Sequence, residues 1–179
     1  PIRGLQGACV GFLGCGGIAR RVAVRLHPFG VQTIGYDPYL PNEIAAQAGI
    51  QLMGQNNVIA QADYLSLHMP LTEETRQMIN AKTISQMKQG AFLINSARAG
   101  LVDHHALYQA IAQGHLGGAA LDVVEGDLQG ATQFKELKNV LITPHSAYYS
   151  AQADVKIRAQ AGELFAAILR GEEPDSRIV

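Results

Sequence analysis

The chain is 179 residues long, 47% hydrophobic and 16% charged, a composition that suits one sizeable core with a small appendage and argues against disorder. Its net charge of −1, with no basic tract, argues against nucleic-acid binding through a charged face. No apolar run reaches membrane-spanning length and nothing resembles a signal peptide, while Cys9 and Cys15 read as buried thiols of a reducing compartment; the expected setting is cytoplasmic, away from membranes.

The first predicted element is a strand, ACVGFLG (8–14), that runs into a glycine cluster and then a helix over 17–29. VQTIGYD (31–37) reads as a second strand and 41–48 as a second helix. Strands follow at DYLSLHM (63–69), GAFLINS (90–96), GAALDVV (118–124) and NVLITP (139–144), with helices over 80–88 and 103–113. Asp103 is the N-cap expected for the latter and Gly114 its stop. A longer helix, about 150–170, ends at Gly171. Several strands are continuous apolar runs, the signature of burial on both faces of a parallel sheet. The alternation implies an α/β, doubly wound, mostly parallel sheet. It is read as a dinucleotide-binding domain over 1–150 followed by a C-terminal helix and tail over 151–179. Because the chain begins at Pro1, it is read as a segment of a longer protein.

Gly14-x-Gly16-x-x-Ala19 has the spacing in which the first glycine makes the tight turn and the second lets a pyrophosphate approach the backbone. The small third residue lets helix and strand pack closely, with the phosphates at the positive helix end. Glycine-rich strand–helix turns are common, so the motif alone is weak. Asp37, 18 residues beyond Ala19 at the end of the second strand, strengthens it. A carboxylate there accepts hydrogen bonds from adenosine ribose hydroxyls and repels a 2′-phosphate, which favours NAD over NADP. A turn former before Pro38 is the plainer reading of Asp37, and an S-adenosylmethionine-dependent methyltransferase could share both features.

Four downstream stretches each begin in or just after a predicted strand: HMPLTEETRQMIN (68–80), NSARAGLVD (95–103), GGAALDVVEGD (117–127) and NVLITPHSAYYSAQA (139–153). In a doubly wound sheet those carboxyl ends share one crevice, which brings Arg98, Asp122, Asp127 and His145 to a common edge. Each residue has an ordinary structural explanation: a surface charge paired with Asp103, a helix cap, a solvated loop pair with Glu125, or a loop histidine satisfied by backbone. Together they form a set suited to redox chemistry on an anionic substrate, in which an arginine binds a carboxylate, a histidine moves a proton and an acid orients the histidine.

These residues resemble the D-isomer-specific 2-hydroxyacid dehydrogenases over essentially the whole chain. The runs MKQGAFLINSARAGLVD and ITPHSAYYSAQA are particularly similar to the C-terminal-binding corepressor branch. The resemblance implies a Rossmann-type NAD domain and hydride exchange with a 2-hydroxy or 2-keto acid. It implies Arg98 as the grip on the substrate carboxylate, His145 as general acid/base and Asp127 as its carboxylate partner, with Glu125 a competitor two residues earlier. The cofactor would meet Gly14, Gly16, Gly17, Ile18, Asp37, Met69, Pro70, Ser96, Ala97, Arg98, Asp122 and His145. No metal is implied. Gly17 stands where the family often has arginine, Ala99 where it commonly has glycine, and Asp127 where it usually has glutamate. The first half of the family's substrate domain and the long helix that helps form its dimer are not found here. A homodimeric parent and a monomeric or weakly dimeric segment are therefore expected. An NAD(H)-sensing, corepressor-like binding protein is the alternative from a different functional class.

Overall fold

The computed structural model describes residues 4–124 and 132–173. It contains two compact units, residues 1–145 and 146–179. The first is a seven-stranded parallel sheet of β1 (Cys9–Leu13), β2 (Gln32–Tyr36), β3 (Gln51–Leu52), β4 (Tyr64–Leu67), β5 (Phe92–Asn95), β6 (Gly118–Leu121) and β7 (Val140–Ile142). The strand order is β3-β2-β1-β4-β5-β6-β7, so the chain reverses direction across the sheet on either side of β1. A crevice beyond the strand ends at such a reversal is where ligands bind in these folds.

All five residues of β1 are buried, as required of a central strand covered on both faces. Val10 and Phe12 belong to a core completed by helix α1 (Gly17–Leu26) and helix α2 (Asn42–Gln47). Ala19 and Ala23, both fully buried, are the small residues on which α1 approaches the sheet. On the other face, Leu13, Leu65, Leu67 and Leu93 pack with α3 (Gln55–Gln61), α4 (Ala81–Ile84) and α5 (His104–Ala112) through Val58, Ile59, Ile84, Leu107 and Ile111. Asp103 caps α5 as expected, its carboxylate accepting the Ala106 N–H at 3.0 Å.

The structure corrects three element boundaries. The first helix stops at Leu26, and 27–29 is a 3₁₀ turn carrying Pro28, which has no N–H to continue the α ladder. The helix expected over 80–88 is a single turn, Ala81–Ile84, locked by a reciprocal cap between Asn80 and Thr83. Residues 49–62, without a predicted element, hold β3 and α3. A two-residue strand is too short to show period-2 alternation, and α3 starts at Gly54 without a capping side chain, so neither gave a local signal.

The second unit contains α6 (Ala151–Leu169), capped by Ser150, whose hydroxyl accepts the Ala153 N–H, and followed by Gly171 at φ +75°. Among the described residues no helix is long and apolar enough to cross a membrane.

Gly35 shows how tightly β2 is packed. A Cβ there would overlap Cys15 Sγ and lie 2.8 Å from Ile50 Cγ2. Gly35→Ala is expected to cost about 1–3 kcal/mol by overpacking. The measurement is a urea midpoint that falls at unchanged slope; an unmoved midpoint would mean that the Cys15 side chain yields freely.

Candidate functional site

The glycine turn joins β1 to α1, and its first glycine is dictated by both conformation and space. Gly14 has φ +85°, and an added Cβ would lie 2.7 Å from the carbonyl oxygen of His68 at the end of β4. Gly16 and Gly17 are different: a Cβ on either meets nothing within 4 Å, so the backbone there is open. No side chain caps α1 at Gly16, and its first turn carries no acid. Such a terminus presents unpaired N–H groups and a positive dipole end to an anion.

Asp37, just past β2, holds this turn in place. Its Oδ2 accepts the Cys15 N–H at 2.9 Å and its Oδ1 accepts the Tyr39 N–H at 3.0 Å. Each carboxylate oxygen has a second lone pair, which leaves acceptor capacity for ribose hydroxyls. The turn-forming role and the ligand role are therefore compatible. Burial, with the Asp37 charge adding to it, pushes the Cys15 thiol up to about 12, so it stays protonated at neutral pH and is no nucleophile.

Gly14, Gly16, Asp37, Met69 and Pro70 line one pocket of about 420 Å³. Residues that sequence reasoning missed share it: Tyr39, Gln55, His68 and Thr75 among them. Gln55 lies on the unpredicted α3. His68 rests on the Phe12 ring at 5.7 Å and shares a 2.9 Å hydrogen bond with Ser66 through Nε2. Burial lowers its pKa and keeps it neutral. Ile18, at the start of α1, is 69% exposed, while Gly17 lines a separate cleft between α1 and α2.

The other predicted residues stand on the ends of β5, β6 and β7, whose last residues are in register: Asn95 beside Leu121, and Leu121 beside Ile142. Backbone bonds stitch the following residues together. The Asp122 N–H donates to the Asn95 carbonyl at 2.9 Å, and the His145 N–H donates to the Asp122 carbonyl at 2.8 Å. The buried Asp122 carboxylate accepts the Thr143 hydroxyl. Asn95, fully buried, shapes the loop that carries Ser96, Ala97 and Arg98. Its Oδ1 accepts the Ala97 N–H at 3.0 Å and its Nδ2 donates to the Arg98 carbonyl at 2.9 Å. This is an Asx-type turn, for which the Asn-Ser-Ala sequence was the only local hint. Arg98 is exposed, with one guanidinium N–H bonded to the Ala97 carbonyl at 2.7 Å, and His145 is exposed at φ +52°. Asp127 and its competitor Glu125 lie outside the described residues.

The chain matches the family described as D-isomer specific 2-hydroxyacid dehydrogenase, NAD binding domain, over residues 1–147. It is 38% identical over 169 residues to a D-3-phosphoglycerate dehydrogenase of Methanocaldococcus jannaschii, covering 94% of this chain and 32% of that one. Among solved structures it is similar to TP0037 from Treponema pallidum, a D-lactate dehydrogenase, with TM-score 0.92, 30% identity and coverage of 100% of this chain and 58% of that one. It is also similar to the D-lactate dehydrogenase from Aquifex aeolicus complexed with NAD and lactic acid, with TM-score 0.86, 34% identity and coverage of 96% and 56%. The chain thus spans about a third of the length of the curated relatives it matches.

Proposed function

We propose, since this chain belongs to the D-isomer specific 2-hydroxyacid dehydrogenase family and is its NAD-binding domain, that the protein carrying it interconverts a 2-hydroxy acid and a 2-keto acid. The observation that carries the reading is the stitched edge Asn95–Asp122–His145, which sets Arg98 past β5 and His145 past β7, on either side of β6, in the unit that holds the glycine-turn pocket.

The residues fit a dinucleotide. The open backbone at Gly16 and Gly17 and the uncapped start of α1 suit the pyrophosphate. The spare lone pairs of Asp37 suit ribose hydroxyls, Met69 and Pro70 suit the adenosine side of the pocket, and Ile18 offers an apolar cover. Ser96, Ala97 and Asp122 would face the nicotinamide end. NAD, when bound, supplies the acceptor or donor of hydride at substrate C2. The protein's own part is positioning and proton movement. The Arg98 guanidinium forks onto the substrate carboxylate and stabilises the carbonyl oxygen on which charge develops. His145, as imidazolium, delivers the proton to that oxygen in reduction and takes it back in oxidation. By its spacing from Arg98 in the family motif, Asp127 would be the carboxylate partner of His145. Two buried free thiols accord with a cytoplasmic setting, and the family resemblance with a homodimeric parent.

Titration calorimetry of the 179-residue chain is the first test. NAD is expected to bind at least tenfold more tightly than NADP, about 1.4 kcal/mol, because a 2′-phosphate would face the Asp37 carboxylate. Asp37→Ser should erode that preference; equal affinities for the two cofactors in the unmodified chain would refute it. Turnover of a 2-keto acid panel by the full-length protein tests the reaction. NAD binding without turnover on any member would leave a nucleotide-sensing protein in place of an enzyme.

A further inference from the structure

Helix α1 has a second face that the dinucleotide pocket does not use. With Ala19 and Ala23 buried against the sheet, Arg20, Arg21 and Arg25 project on the other side, within about 140° of one another at roughly 100° per residue. Among the described residues none of the three pairs with a carboxylate, whereas Arg76, Arg158 and Arg170 each do. The arrangement works against the helix itself: like charges crowd one face, and Arg20 and Arg21 sit near the positive end of the dipole. Helices usually carry acids there. A solvated cationic face would tolerate this, but these arginines are not simply solvated. The Nε of Arg20 is shut off from solvent with no hydrogen-bond partner, and Arg25 folds back to donate to the Arg21 carbonyl at 2.8 Å.

The three guanidinium side chains line a cleft of about 390 Å³ between α1 and α2, with Gln47 as a further donor and Val24 and Ile44 as apolar lining. No acidic residue lines it; it shares no lining residue with the pocket around Gly14, Gly16 and Asp37, and of the residues assigned above to the dinucleotide only Gly17, at the start of α1, also borders it.

We propose that the α1–α2 cleft is a second anion site, separate from the dinucleotide seat, that takes a phosphate group, either inorganic phosphate or that of a small phosphomonoester. Three guanidinium groups without a carboxylate partner offer forked donors to a tetrahedral anion whose several oxygens can accept from more than one fork at once, which a lone carboxylate cannot do.

The test uses the 179-residue chain, ¹⁵N-labelled and saturated with NAD so that the dinucleotide seat is filled. Inorganic phosphate, and separately glycerol 2-phosphate, are titrated against sodium chloride of equal ionic strength. Saturable shifts are expected at the Nε–Hε groups of Arg20, Arg21 and Arg25 and at the Gln47 amide. Tighter binding of one probe identifies the source of the phosphate. The triple variant Arg20→Gln, Arg21→Gln, Arg25→Gln should weaken phosphate binding at least tenfold, about 1.4 kcal/mol, and still bind NAD, which certifies its fold. Arg21→Lys, keeping the charge and losing the fork, should fall between the two. Shifts that track ionic strength alone would overturn the proposal. So would phosphate binding that NAD abolishes, because the arginines would then serve the dinucleotide's own phosphates. NAD binding is read independently, so failure of this site and failure of the dehydrogenase reading are distinguishable.

Discussion

His145→Asn in the full-length protein is expected to lower kcat for 2-keto acid reduction by about 10²–10⁴-fold, the usual contribution of a positioned general acid/base, a far larger effect than on NAD affinity. Asparagine is the informative replacement because His145 sits at φ +52°, a region asparagine tolerates better than most residues. Alanine would mix lost chemistry with backbone strain. The loop should survive the change, since its anchors are main-chain: the His145 N–H donates to the carbonyls of Asp122 and Thr143 at 2.8 and 3.0 Å. Pre-steady-state and steady-state rates with a 2-keto acid decide the matter. A loss of less than tenfold at intact NAD affinity would remove His145 from the proton-transfer role.

The second large effect is a paired contrast at the glycine turn. Gly14→Ala is expected to destabilise the fold by about 2–5 kcal/mol, adding a positive-φ penalty to overlap with rigid backbone. The overlapping atoms are the carbonyl oxygen and carbon of His68, 2.7 and 2.8 Å from the new Cβ, and a main chain paired into a central sheet cannot swing aside as a side chain would. That is a large share of a typical 5–15 kcal/mol, and NAD binding should go with it because the turn is the pocket's rim. Gly16→Ala is expected to do the reverse. Gly16 has φ −64°, and its added Cβ meets nothing within 4 Å, so the urea midpoint should barely move. NAD affinity should still drop about tenfold or more, because the methyl takes the space through which the pyrophosphate reaches the backbone. If Gly16→Ala binds NAD normally, the phosphates do not approach there.

The parallel architecture was legible along the chain, and so was the position of Arg98, Asp122 and His145 just past strand ends. Continuous apolar runs such as ACVGFL announced strands buried on both faces, and the helical stretches between them implied right-handed crossovers, hence a parallel sheet. Once the strands are parallel, residues just past them must share one edge, so Arg98, Asp122, Asp127 and His145 were grouped without coordinates, of which Asp127 lies outside the described residues. What escaped was carried by contacts between segments far apart in the chain. The hold of Asp37 on the glycine turn joins residues 22 apart, and the bond from Asp122 to Asn95 crosses from one strand end to the next. Asn95 itself read as part of the strand over 90–96, and only its hydrogen bonds in the folded chain showed that its amide shapes the Arg98 loop. Gln55 went unnoticed because α3 has neither a capping side chain nor the length to show a period, and packing against β1 and β2 makes it a helix. The arginines of α1 drew no notice along the chain, and the cleft they line came only with α2 beside them. Periodicity and caps are properties of a short window of chain; a pocket is a property of which windows meet, and the tertiary fold alone decides that.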